Sequence, residues 1–179
     1  MKKQLSSIDL NFVLKELDDL KDSRIDKIYQ PDKNSLIFSF YKTNIGKKLL
    51  KINIGQSLFL AEEKENYSET LVFGMSLRKH IDGYFLYDIA QIKPERILKM
   101  SFKIKESQKI LYFEFFGKGN AVLCSENDVI INAIEHHEFK DRTIKPKTKY
   151  IHPTMSYNLF EIDKTHLKEL LKNSKKTQL

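Results

Sequence analysis

Chemistry in this chain has to come from a few polar clusters. Cys124 is the only cysteine. It follows the apolar run at 120–123, where a thiol serves as a small inert core residue. No spacing ties His80, His152 or His166 to it, so nothing supports a cysteine hydrolase. His136 and His137 are adjacent, flanked by Glu135 and Glu138. Neighbouring side chains of an extended segment point apart, so a tight metal site would need ligands from elsewhere. A polar strand end is the simpler reading. Gly117-Lys118-Gly119-Asn120 has the look of a phosphate cradle but lacks the Lys-Ser/Thr and the helix that follow in a P-loop. It reads as a hairpin turn whose backbone N–H groups can still meet a phosphate.

The remaining clusters are charged. Arg78-Lys79-His80 falls in the last turn of an expected helix, where cations suit the helix dipole. Glu95-Arg96 follows Pro94 at a strand start, and on its own is a surface ion pair worth about 0–1 kcal/mol. Asp9 stands three residues after Ser6, the second half of a capping box. Lys140, Arg142, Lys145, Lys147 and Lys149 make residues 140–149 basic. Singly, each is a solvated charge. Together they predict an RNA-contacting surface, because Lys and Arg neutralise phosphates and release counterions, giving affinity without reading sequence.

The whole composition points the same way. Across 179 residues, Lys+Arg total 31 against 24 Asp+Glu, a net charge of +7. Such a balance favours polyanionic partners. A hydrophobic content of 41% is enough for a real core. Eight tyrosines and twelve phenylalanines leave material for base stacking, although most sit at strand-core positions. A single cysteine suits a reducing cytoplasm. The N-terminal residues show no apolar secretory core, and the apolar runs are too short to span a bilayer. No membrane partner and no cofactor are expected.

The elements that must position these residues follow from periodicity. Residues 6–22 read as a helix with Leu10, Val13, Leu14, Leu17 and Leu20 on its apolar side. Four short strands follow, at 24–30, 35–41, 48–54 and 57–60. Residues 61–69 read as a loop and 70–82 as a second helix capped by Gly83. Five more strands lie at 84–92, 96–105, 110–116, 120–124 and 129–134. Residues 135–153 lose periodicity, and 158–173 read as a last short helix. The order predicts an α+β domain with mainly antiparallel strands in two packed sheets, a β-sandwich flanked by helices.

Five ordered segments then resemble the NFACT family, which includes the RqcH and NEMF-like proteins (also called fibronectin-binding protein A). They are Ser7-Ile8-Asp9 with residues 24–31 (RIDKIYQP), residues 73–83 (FGMSLRKHIDG), residues 91–97 (QIKPERI), residues 114–123 (EFFGKGNAVL), and Arg142-Thr143-Ile144-Lys145-Pro146 with Tyr150. The resemblance covers residues 7 to about 150. It implies a ribosome-associated quality-control role. The full-length protein would bind a stalled large ribosomal subunit holding peptidyl-tRNA, recruit tRNA and support C-terminal tailing of the nascent chain. It implies tRNA and large-subunit ribosomal RNA as partners, besides the rest of its own chain: a helix-hairpin-helix module, a coiled coil and an NFACT-R domain. Residues 1–155 would be the NFACT-N domain and 156–179 the start of the helix-hairpin-helix module. Asp9 matches the family's acidic residue in the first helix. Arg96 matches the arginine of its Asp-Arg pair, with Glu95 in place of the aspartate. The fold implied resembles the N-terminal domain of formamidopyrimidine-DNA glycosylases, whose N-terminal proline nucleophile is replaced here by Met1-Lys2-Lys3. A binding module is therefore expected rather than an enzyme, with Asp9, Arg78, Lys79, Glu95, Arg96, Lys140, Arg142, Lys145 and Lys147 facing RNA. The alternatives are a glycosylase- or lyase-like enzyme and a protein-interaction scaffold or adhesin.

Overall fold

The computed structural model describes residues 4–61, 70–139, 141–153, 158 and 160–174. Lys140 and residues 62–69 of the expected loop lie outside the described residues.

The chain opens with helix α1 (Ser7–Glu16), which is capped as its sequence predicts. Ser6 Oγ accepts from the Asp9 amide at 3.1 Å, and the Asp9 carboxylate accepts from the Ser6 amide at 2.7 Å. The helix ends six residues before the expected boundary. A 3₁₀ turn at Asp18–Leu20 takes over and keeps Leu17 and Leu20 buried. The apolar spacing was legible, but the change of helix type was not, because both place these leucines inward.

Strands β1 (Ser23–Asp32), β2 (Ser35–Lys42), β3 (Gly46–Asn53) and β4 (Ser57–Ala61) form an antiparallel meander. Helix α2 (Val72–Ile81) follows, then β5 (Phe85–Gln91), β6 (Ile97–Ile104), β7 (Ser107–Glu114), β8 (Asn120–Ser125) and β9 (Ile130–Ala133). The predicted order of helix, four strands, helix and five strands is the order that forms. A small ribbon, β10 (His137–Glu138) paired with β11 (Thr143–Ile144), is added where no periodicity was visible. Two-residue strands leave no repeat to detect.

The two halves of the fold belong to one nine-stranded sheet, ordered β4-β3-β2-β1-β5-β6-β7-β8-β9. Among the described residues, their strands pair through Ser23↔Leu86 and Arg24↔Phe85. Four strand spacings separate β2 from β7, about 19 Å in a flat sheet. Yet the Phe38 and Phe113 rings lie edge to face at 6.3 Å, and Phe38 stacks on Phe102 at 6.5 Å. The sheet therefore folds over on itself at the β1–β5 joint and packs its halves face to face. The expected sandwich is a single continuous sheet, doubled.

Phe38, Phe40, Phe102, Phe113 and Phe115 fill the space between the halves, with Leu10, Leu77 and Ile81 contributed by the helices. A second, smaller core lies on the other face of β6–β9. There Ile97, Tyr112, Val122 and Cys124 are covered by Ile144 and Tyr150. Strand β7 is thus buried on both faces, which is why Ile110–Glu114 shows no inside–outside alternation in burial.

Helix α2 packs on β1 and β9. Gly74 lets it approach, since a Cβ there would meet Thr70 and Gln30. Gln30 Oε1 accepts from the Gly74 amide at 2.7 Å and satisfies one of the helix's free N–H groups. Helix α3 (Lys164–Ser174) is the last element, and its described side chains are all exposed. Among the described residues, no helix is long and apolar enough to cross a membrane.

Candidate nucleic-acid interface

The start of α1, the β5–β6 connection and the strap at 142–153 converge on one cleft of about 470 Å³. Ser6, Ser7, Glu95, Arg96, Phe116 and Arg142 are among the residues lining it. The β5–β6 connection is held against α1 by a set of short bonds. Ser7 Oγ donates to the Pro94 carbonyl at 2.5 Å. Gln91 Nε2 donates to Ser7 Oγ (2.8 Å), the Ser7 carbonyl (3.0 Å) and the Glu95 carbonyl (2.9 Å). The Lys93-Pro94 peptide is cis.

This clamp turns the Glu95 side chain inward. Glu95 is only 8% exposed, and its Oε1 is buried with no hydrogen-bond partner among the described residues. Gln91 Oε1 is in the same condition. Buried acceptors normally find a donor; Glu95, which lines the cleft, and Gln91, whose amide nitrogen bonds to the Glu95 carbonyl, each keep one oxygen without a partner among the described residues. Arg96 stands beside them, half-buried, and donates to Gln4 Oε1 at a long 3.4 Å.

The opposite wall is Arg142, one of the expected phosphate contacts. Its Nη1 and Nη2 donate to Glu114 Oε1 and Oε2 at 2.5 and 3.2 Å. Its guanidinium carbon lies 5.6 Å from the Phe116 ring centre and 5.0 Å from that of Phe139. Burial works against the charge, but Glu114 more than offsets it, and the Arg142 pKa is raised. Tyr150 Oη also donates to Glu114 Oε1, at 3.0 Å. Burial, and then Glu114, pushes the Tyr150 phenol far up, so it remains a donor. Arg142 is therefore a cleft wall fixed by a buried pair, not a free surface cation.

The other sequence-predicted residues are distributed as follows. Asp9 is half-buried and bonds to Ser6 at the cleft edge. Arg78 lies elsewhere, along β1: its Nε donates to the Ile28 carbonyl at 2.7 Å, its Nη2 to Thr70 Oγ1 at 2.7 Å, and its charge sits 5.6 Å from the Tyr29 ring centre. Lys79 is exposed on the same helix. Lys145 pairs with Glu138 at 2.8 Å on the surface, and Lys147 is exposed in a turn with φ of 72°. The fold thus gathers Asp9, Glu95, Arg96 and Arg142, and leaves Arg78 and Lys79 on helix α2, with Arg78 bonded to β1. Ser7 and Phe116 line the cleft, Gln91, Glu114 and Tyr150 hold its walls through the bonds above, and none of these was singled out as a site residue. Each lies inside one of the five motifs, which was the available signal.

Elsewhere the polar clusters are structural. Burial, helped by Asp128, pushes the Cys124 thiol up to about 12, so it sits protonated in the core. His136 and His137 are exposed, and no group of three metal-ligating residues is found among the described residues. The glycine turn at 117–119 closes the β7–β8 hairpin through Gly119 N–H to the Phe116 carbonyl at 2.9 Å.

The chain's relatives share both sequence and fold. The archaeal Rqc2 homolog aRqcH of Methanocaldococcus jannaschii is 29% identical over 186 aligned positions, which take in 98% of this chain and 28% of the relative. The Rqc2 homolog RqcH of Bacillus subtilis is 34% identical over 125 positions, 63% of this chain and 22% of the relative. The ribosome quality control complex subunit NEMF of Homo sapiens is 29% identical over 75% of this chain and 12% of its own length. The chain thus spans less than a third of each of these relatives. Among solved structures, the N-terminal part of the fibronectin/fibrinogen-binding protein of Streptococcus suis superposes with a TM-score of 0.82 at 27% identity, covering 94% of this chain and 69% of that one. The N-terminal domain of the fibronectin-binding protein PavA of Streptococcus pneumoniae gives 0.79 at 28%, covering 97% and 69%. The profile of the NFACT N-terminal and middle domains matches residues 6–179, and with that match the chain belongs to the NFACT family.

Proposed function

We propose that this chain is the RNA-gripping N-terminal part of a ribosome quality-control factor. It acts as a binding module on tRNA at a stalled large ribosomal subunit. The relatives named as ribosome quality control subunits support the role, and the cleft supports the mode of binding. The observation that carries it is the cleft lined by both Glu95, whose Oε1 has no hydrogen-bond partner among the described residues, and the Arg96 cation. A carboxylate repels phosphates, but it accepts hydrogen bonds from base amines and ribose 2′-hydroxyls. Arg96 supplies the neighbouring phosphate contact, Asp9 orients the α1 edge, and Arg78, Lys79, Lys145, Lys147 and Lys140 add a diffuse positive field. The full-length protein would recruit tRNA to the subunit and support tailing of the nascent chain. Residues 1–155 would form the gripping domain, and 156–179 would lead into the helix-hairpin-helix module.

Filter binding of tRNA tests this reading. Arg96→Ala should weaken binding and lower the log–log salt slope by about one. Glu95→Gln should weaken binding with the salt slope unchanged, because it alters a hydrogen bond and adds no phosphate contact. Wild-type affinity in both variants at physiological salt would remove the cleft from the interface.

A further inference from the structure

The outer face of the sheet carries a pattern that the cleft does not use. Residues paired directly across antiparallel strands point to the same face. Following the register from β3 to β7 gives one line: Lys47↔Tyr41, Tyr41↔Arg24, Arg24↔Phe85, Phe85↔Lys103 and Lys103↔Gln108. Cation and aromatic ring alternate across five neighbouring strands. The rings are open to solvent, with Tyr41 52% and Phe85 45% exposed. Tyr87, 42% exposed, leans onto the same line through its hydroxyl to Gln108 Oε1 at 3.3 Å. Lys47, Arg24 and Lys103 are all exposed. A depression of about 430 Å³ opens between Tyr41, Arg24 and Phe85, with Lys42 and Asp22 on its rim.

Two rings and three cations thus share one exposed line, more than the singly scattered apolar residues that surfaces ordinarily carry. The row is also separate from the cleft. Lys103 and Arg96 stand seven residues apart at opposite ends of β6, about 24 Å along a strand.

We propose that this row is a platform for single-stranded RNA, distinct from the cleft. Tyr41 and Phe85 flank Arg24 on neighbouring strands around one depression, so each exposed ring offers a face for one unpaired base. Arg24 between them meets the phosphate that joins the bases or packs on a base face. Lys103 takes a flanking phosphate. Lys47 is held by Asp26 at 2.7 Å in an exposed pair, and such pairs exchange readily for a phosphate. Asp22 supplies an acceptor for a base amine. A duplex keeps its base faces stacked inside and cannot use the rings, so the platform selects single strands over double strands.

Fluorescence anisotropy with a labelled oligouridylate and an RNA duplex of equal length tests the proposal. The chain should bind the single strand more tightly at physiological salt. Tyr41→Leu and Phe85→Leu keep apolar surface and folding but remove the stacking face, and each should weaken oligouridylate binding about tenfold. Tyr41→Phe should bind like wild type. Arg24→Ala should lower the salt slope by about one. Melting temperatures near wild type confirm that the variants are folded. Equal affinity for single strand and duplex, or full binding by the Tyr41→Leu/Phe85→Leu double variant, would overturn the platform. The cleft is judged separately, since its function falls only if tRNA binding survives the change at Arg96.

Discussion

A charge read from sequence says little about what it will touch. Arg142 and Glu114 show why. They are 28 positions apart, each sits in a recognisable motif, and neither motif hints at the other. In the fold they form a two-pronged pair with side chains 11% and 5% exposed, joined by the Tyr150 hydroxyl. The pairing exists because the strap at 142–150 covers the back of β6–β9, which only tertiary packing reveals. Asp9, by contrast, was fully legible, since a capping box is local. The buried pair carries a stability consequence. Glu114→Ala would leave a guanidinium buried without its carboxylate and the Tyr150 hydroxyl without its acceptor. Removing one partner of such a pair typically costs about 3–5 kcal/mol. Urea unfolding should show a loss of that size, and a loss under about 1 kcal/mol would mean that solvent already screens the pair. Replacing both charges with apolar residues of similar size should cost less than the single change, because no unpaired charge remains.

Among the elements, those with an unbroken repeat were read well and those built by contact were not. Strands β2, β6 and β8 follow from alternation or from apolar runs, and α2 ends where its basic turn and Gly83 predict. The Gln30 bond that caps α2 depends on a partner distant in sequence, while the early end of α1 leaves its leucine spacing unchanged and the two-residue β10–β11 strands are too short to show a repeat. At the start of α1, structure and proposed function overlap in one short segment. Ser6→Ala removes the Oγ that accepts from the Asp9 amide and should cost about 1 kcal/mol. For a chain of this length that lowers the melting temperature by about 2–4 °C. Asp9→Ala breaks the reciprocal half of the same box and should lower it by a similar amount. If Asp9 also orients the RNA edge, only Asp9→Ala will weaken tRNA binding beyond what Ser6→Ala does. Equal binding losses in the two variants would confine Asp9 to capping.

The doubling of the sheet is the property of the whole molecule, and two glycines far apart in sequence make it possible. Gly55, in the β3–β4 turn, and Gly119, in the β7–β8 turn, meet where the free ends of the two halves close together. Both have positive φ, 74° and 77°. A Cβ on Gly119 would overlap the Gly55 backbone nitrogen and Cα, and one on Gly55 would come 2.8 Å from the Lys118 carbonyl oxygen. Backbone on both sides leaves no flexible side chain to give way. The sequence shows Gly55 and Gly119 as turn residues but not as partners. Gly117 supplies the comparison, because it also has positive φ, 58°, but nothing lies within 4 Å of an added Cβ. Gly117→Ala should therefore cost only the left-handed strain, about 1–2 kcal/mol. Gly119→Ala bears that strain and must also push the two turns apart. Its loss should exceed that of Gly117→Ala by about 2 kcal/mol or more, on the scale of overpacking a tight contact. Denaturant midpoints of the two variants, read side by side, decide the matter. Equal shifts would show that the halves are held by their phenylalanine core alone and that the contact between the turns is incidental.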